Sequence, residues 1–221
     1  MTPAQARNEV ERLITTLFGI GVAIDSSPVL NLTSHGETIV TWSNNMSLSE
    51  LFGQTSTLQE YITTLDNRWY SVVLSDGALL QFSYTFKGNT LKKHRLSYHP
   101  CPIFFQPLEL QHYTIAELLQ LFDGRELRDR LRIEGAIRFD YDIDSGTLDH
   151  PPSHLTISRL TSRIPVFAPL SLGHFVRFTF AHFYPEQWQA CEELRKWSCS
   201  AFDTCLPDVE HERLFIQWKR A

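Results

Sequence analysis

Apolar residues recur along this chain at two periods, and the changes between them mark its elements. Near the start, Val10, Leu13, Ile14, Leu17 and Phe18 follow helical spacing. Thr2-Pro3 ahead of them supplies a capping hydroxyl and a proline for the first helical position. The pattern predicts a helix that stops near Gly19–Gly21. Glu37–Trp42 reads as a strand, Ser47–Phe52 as a short helical turn, and Ser56 as the cap of a helix carrying Leu58, Tyr61, Ile62 and Leu65. A period of two then takes over. Trp69–Leu74, Leu79–Phe86 and Leu91–Tyr98 alternate as strands, separated by the turn signals Asp76-Gly77 and Lys87-Gly88-Asn89. Together they predict a three-stranded antiparallel meander that ends at His99-Pro100-Cys101-Pro102.

Helical spacing returns at Thr114-Ile-Ala-Glu117, a capping box opening a helix to about Phe122, which Leu127–Leu131 extends or repeats. Ile133–Ile143 and Leu155–Ser158 read as strands. Ser171 starts a helix carrying Phe175, Phe178, Thr179 and Phe183, Pro185 breaks it, and Glu186–Ser198 forms another. Leu214–Trp218 reads as a final strand. The expected architecture is a single α+β domain spanning 1–221, an antiparallel meander sheet flanked by helices.

Composition narrows the function classes. The chain has 221 residues, 43% of them hydrophobic, with 15 phenylalanines, which suits a sheet-rich core. A net charge of −5 argues against coating nucleic acid by bulk attraction and leaves only local basic patches for that role. The four cysteines form no Cys-x-x-Cys pair, and no secretory leader is evident, so they read as reduced thiols of a cytoplasmic protein. No apolar run approaches the ~20 residues that span a bilayer.

The chemistry concentrates between Arg138 and Ser158, in RFDYDIDSGTLDHPPSHLTIS. Side chains alternate along a strand, so Arg138, Asp140 and Asp142 share one face and Phe139, Tyr141 and Ile143 the other. On the returning strand His154, Thr156 and Ser158 share a face opposite Leu155 and Ile157. Pairing the apolar sets on the core puts Asp140, Asp142, His154 and Thr156 on one polar face, with His150 in the turn. One reading is an acid–base or metal site, with Asp140 or Asp142 holding a divalent ion such as Mg²⁺ or Mn²⁺, His154 as base or ligand and His150 assisting a leaving group. The other is a solvated polar face beside a rigid proline turn. Asp140, Asp142 and Asp144 imitate the start of an EF-hand loop, but Ser145 and Pro151 stand where that loop needs glycine and glutamate.

Three basic series could meet phosphates. Lys87, Lys92, Lys93, His94 and Arg95 cluster on the last meander hairpin, and Arg159 and Arg163 follow the aspartate–histidine segment. Arg125, Arg128, Arg130, Arg132 and Arg138 interleave with Glu126, Asp129 and Glu134, a pattern that favours intrahelical pairing. Lys92, Lys93, Arg95, Arg159 and Arg163 are the candidate nucleic-acid contacts. Ser83, Ser97 and Ser153 lack a nucleophile-elbow context. The chain has no P-loop, no GxGxxG and no HExxH.

Taken in order, Asp76-Gly77…Gln81-Phe-Ser-Tyr84, His94-Arg-Leu-Ser-Tyr98, Arg138-Phe-Asp140-Tyr-Asp142, His150-Pro-Pro-Ser-His154 and Phe175…Phe183-Tyr184 resemble a family of prokaryotic domains of unknown function. The resemblance runs from about Thr57 to Tyr184, and Asp-x-Asp followed by His-Pro-x-Ser-His is its most specific element. Members resemble components of phage-defence modules whose gene accompanies one for a helicase. The resemblance therefore implies a helicase partner and a nucleic-acid setting, and it carries no catalytic residues. Two function classes stay open: a binding or regulatory module beside the helicase, and a nuclease working through the Asp/His hairpin on DNA or RNA.

Overall fold

Helix α1 spans Pro3–Gly19, and the expected cap is present. The Thr2 hydroxyl accepts the Gln5 amide at 3.3 Å while the Gln5 side chain accepts the Thr2 amide at 2.7 Å. The structure is a computed structural model and describes residues 1–42, 58–145, 147, 150–158, 162–200 and 202–218. The turn expected at Ser47–Phe52, the cap at Ser56 and Arg159 lie outside the described residues. Strands β1 (Ala23–Ser26), β2 (Leu30–Ser34) and β3 (Glu37–Thr41) follow, then helix α2 (Leu58–Asp66).

The meander forms as β4 (Val72–Leu74), β5 (Leu79–Lys87) and β6 (Thr90–His99). Gly77 explains its first turn. Its φ of +88° suits glycine, and a Cβ there would lie 3.0 Å from the Cys101 sulfur and 3.1 Å from the Tyr61 hydroxyl. After α3 (Pro107–His112), α4 (Ile115–Leu121) and α5 (Gly124–Asp129) come β7 (Ile137–Asp142), β8 (Ser153–Ile157) and β9 (Arg163–Pro165). The chain ends through α6 (Leu172–Phe183), α7 (Pro185–Ala190), α8 (Glu192–Arg195) and a 3₁₀ turn, Asp208–Glu212.

The described strands make one antiparallel sheet in the order β1-β4-β5-β6-β7-β8-β9. The β2–β3 hairpin joins the far half of β5, so β4 and β3 share one edge of that long strand end to end. Mixed α+β architecture around an antiparallel sheet is therefore present as expected.

Alternation gives the sheet two unlike faces. Leu80, Phe82, Tyr84, Phe86, Leu96, Phe139 and Leu155 pack beneath α1 and α6, with Phe175 edge-on to Phe82 at 5.7 Å and to Phe139 at 6.3 Å. On the opposite face a smaller apolar cluster joins Val73, Leu79 and Cys101 to Tyr61, Ile115 and Leu118 of α2 and α4. That cluster covers one end only. Further along the same face the residues turn polar, and the candidate site lies there. Among the described residues no helix is long and apolar enough to cross a membrane.

Several expected elements differ. The helix expected over Glu186–Ser198 is two, because Cys191 takes an extended conformation (φ −104°, ψ 104°) between α7 and α8. Leu214–Trp218 is not a strand. Only Ile216 makes a bridge, to Val166. The strand expected from Ile133 begins at Ile137, and Trp69–Leu74 pairs only from Val72.

Candidate nucleic-acid interface on the sheet

Strand register assembles the site in three rows. Thr85, Lys93 and Asp142 face one another across β5, β6 and β7. Ser83, Arg95, Asp140 and His154 form the next row, reaching β8. Gln81, Ser97, Arg138, Thr156 and Arg163 form the third and reach β9. Residues two apart on each strand share this face, so three rows bring cations, carboxylates, hydroxyls and an imidazole into one patch.

Asp140 is its centre. The Arg95 Nε–H donates to Asp140 Oδ1 at 2.7 Å and the Arg138 Nε–H to Oδ2 at 2.5 Å. All three side chains are largely enclosed, with 18% of Arg95 and 11% of Arg138 and Asp140 exposed. Burial by itself pushes the Asp140 carboxyl upward, but the two guanidiniums outweigh it and hold it below the ordinary carboxylate range. Asp140 is thus an ionised anchor that fixes two arginines. Nearer solvent, the Lys93 ammonium donates to Asp142 at 2.8 Å, which raises the lysine.

His154 closes the second row. Its Nδ1 is 2.9 Å from the Pro151 carbonyl, and a carbonyl only accepts, so Nδ1 carries the proton. Nε2 sits 3.7 Å from Asp140 Oδ2, beyond a hydrogen bond. Burial lowers the imidazole to about 4, although Asp140 pulls the other way. The His150 ring lies 5.0 Å away, edge to face, and is also lowered, by burial and then by Arg163.

A cleft of about 430 Å³ opens over these rows. Asp140, Asp142, His150 and His154 all line it, as do Lys93, Arg95 and Arg163. Arg138, which the charge pattern groups with the helical arginines, and Ser83, which lacks a nucleophile-elbow context, also line the cleft. The signal for Arg138 was its alternation with Asp140. Lys92 is not among the lining residues, and its carbonyl accepts the Ile143 amide. His94, grouped with the surface lysines by sequence, is a buried core residue between Tyr84 and Tyr141, at 6.1 and 5.8 Å.

The face is also less wet than a solvated sheet surface. Ser97, Thr156, His154 and Asp140 are buried. Nor do the carboxylates converge as metal ligands: among the described residues no three His, Cys, Asp or Glu side chains are placed to hold an ion. Of the helical arginines, Arg130 makes the expected i,i+4 pair with Glu126 at 3.0 Å and also bridges to Glu109 of α3 at 2.7 Å, while Arg128 donates to the Gly124 carbonyl at 3.0 Å instead.

The model of an uncharacterized conserved protein family, DUF2290, matches residues 23–218. The chain belongs to the DUF2290 family. The match begins at the first residue of β1 and takes in every described strand, so the cleft lies wholly within the DUF2290 region, with all of α1 ahead of it. No curated protein and no solved structure is significantly similar to the chain.

Proposed function

We propose that this DUF2290 protein is the nucleic-acid-directed component of a prokaryotic phage-defence module, a binding or regulatory unit that works with a helicase partner. The observation that carries the nucleic-acid part is the cleft itself. Lys93, Arg95, Arg138 and Arg163 surround one cavity, and Asp140 holds two of them in fixed positions. Guanidiniums pre-set by a carboxylate suit phosphate recognition, since little ordering remains to be done on binding. A local cationic cleft also reconciles nucleic-acid contact with a net charge of −5. The helicase and defence setting rest on the resemblance of the Asp-x-Asp…His-Pro-x-Ser-His pattern.

Anisotropy titrations with labelled single-stranded DNA, single-stranded RNA and duplex DNA test the reading. The expected result is binding that weakens with salt and weakens further in Lys93→Gln and Arg163→Gln. Absence of binding to every probe at low salt contradicts it. Co-purification with the helicase encoded beside the gene tests the partner.

A second reading, a nuclease, draws on the His150–His154 pair at 5.0 Å. In its metal-independent form His154 Nε2 is the base. Against it stands the enclosure of His154, only 3% exposed. Cleavage of any probe in EDTA, lost in His154→Ala, would favour it.

A further inference from the structure

We propose that the cleft seats a terminal phosphate of a nucleic-acid strand, a phosphomonoester, rather than the internal phosphodiesters of a strand lying across the surface. This rests on the nucleic-acid reading above and specifies the group recognised.

Three observations carry it. The first is depth. Lys93 is 42% exposed and Arg163 is also open to solvent, whereas 18% of Arg95 and 11% of Arg138 are exposed. A strand crossing the surface meets the outer pair. Only a group that projects downward reaches the inner pair, and a chain end carries such a group. There a charge interaction is also less screened by water. The second is size. At about 430 Å³ the cleft lies toward the small end of the roughly 300–1,000 Å³ typical of small-ligand sites. That is room for an end nucleotide, not for a duplex.

The third is the floor. Ser83 is 1% exposed, lines the cleft and stands directly across from Arg95, yet its Oγ has no hydrogen-bond partner among the described protein atoms. Thr156 Oγ1, across from Arg138 in the neighbouring row, is also buried without a partner among the described protein atoms, although Thr156 does not itself line the cleft. A buried hydroxyl left without a partner is unfavourable, because its lost hydration is not made good. Phosphate oxygens are acceptors for such donors, and a terminal phosphate offers three non-bridging oxygens where a diester offers two. Charge agrees: among the described lining residues four Lys and Arg side chains stand against two carboxylates, which suits a dianion better than a monoanion.

The test measures affinity for one single-stranded ten-nucleotide sequence carrying a 5′-phosphate, a 3′-phosphate or hydroxyls at both ends. Inorganic phosphate and a nucleoside 5′-monophosphate serve as competitors. The expected result is binding at least tenfold tighter for one phosphorylated end, and a preference that falls to threefold or less in Ser83→Ala, a variant that removes an unpartnered atom without disturbing the Asp140 network. Lys93→Gln should weaken all three strands by a similar factor. Equal affinity for phosphorylated and hydroxyl ends would overturn the terminal-phosphate inference while leaving strand binding intact. An end preference unchanged in Ser83→Ala would overturn its placement in this cleft. Binding of the monophosphate without any strand would make the cleft a free-nucleotide site and overturn it too. No binding of any probe would overturn both this inference and the reading beneath it.

Discussion

Arg95 and Asp140 face each other across β6 and β7, with guanidinium Nε 2.7 Å from carboxylate Oδ1, in a row that continues to His154. The two residues come from strands separated in sequence by three helices, so this pair fixes the polar face as a long-range feature of the fold. Arg138 completes the arrangement on the other carboxylate oxygen.

Removing Asp140 should therefore be far more damaging than removing Asp142. Asp140→Ala takes the shared carboxylate away from two enclosed guanidiniums, a change that costs about 3–5 kcal/mol. The Lys93–Asp142 pair is 42% and 27% exposed, so Asp142→Ala should cost no more than about 1 kcal/mol. Urea unfolding of both variants checks this, and equal losses would mean that Asp140 is not the anchor described.

Stability should decline as pH falls from neutrality. Burial lowers His94 to about 4, His99 to about 3 and His154 to about 4, against an ordinary value near 6.5. Asp140 works against the shift at His94 and His154, while Arg138 and Arg95 add to it at His99. A group depressed in the folded state favours folding above its unfolded value, and that contribution is lost as pH falls toward the folded value. The window is thus about pH 6.5 down to 4 for His94 and His154 and to about 3 for His99, with a slope of up to about 1.4 kcal/mol per pH unit for each histidine. Urea midpoints at pH 7.5, 6 and 5 read it, and midpoints that do not move would contradict the burial of these rings.

Gly77→Ala should be costlier than Gly88→Ala. Both glycines have positive φ, +88° and +59°, so each substitution carries a backbone penalty of about 1 kcal/mol. A Cβ at Gly88 meets open space, whereas one at Gly77 lies 3.0 Å from the Cys101 sulfur. Thermal denaturation should place Gly77→Ala at least about 1 kcal/mol below Gly88→Ala. The reverse order would contradict the packing described at this turn.

Lys92 and Lys93 are sequence neighbours with different expected roles. Lys93 lines the cleft and Lys92 does not. Lys93→Gln should weaken strand binding severalfold and reduce its salt dependence, each phosphate contact contributing a slope of about −0.7 for single strands. Lys92→Gln should stay within about twofold of the unaltered protein in the same titration. Equal effects would place the binding surface on the hairpin edge instead.

Parts of this arrangement are legible in the sequence. The turns Asp76-Gly77 and Lys87-Gly88-Asn89 delimit the meander, and the alternation Arg138-Phe-Asp-Tyr-Asp142 puts the carboxylates on one face. That Asp140 and His154 share a face follows once apolar residues are stacked on the core, while their direct pairing is set by the β7–β8 register. The partnership of Asp140 with Arg95 does not follow, because it depends on which strands become neighbours after the α3–α5 excursion. His94 looks like a surface cation beside two lysines, and only the β6 register sends it into the core between Tyr84 and Tyr141. The short strands β1, β2 and β9 carry too little pattern of their own and are held by their neighbours β4, β3 and β8 in the sheet. Cys191 interrupts a helical pattern without glycine or proline to announce it.

The central claim is that the cleft over β6, β7 and β8 is where nucleic acid binds. The most direct measurement is a ¹H–¹⁵N NMR titration of the full chain with a single-stranded oligonucleotide. Amide shifts concentrated at Lys93, Arg95, Arg138, Asp140, His150 and Arg163 are the predicted result. Shifts confined to α1 or to α3–α5, with the cleft amides unmoved, would contradict it.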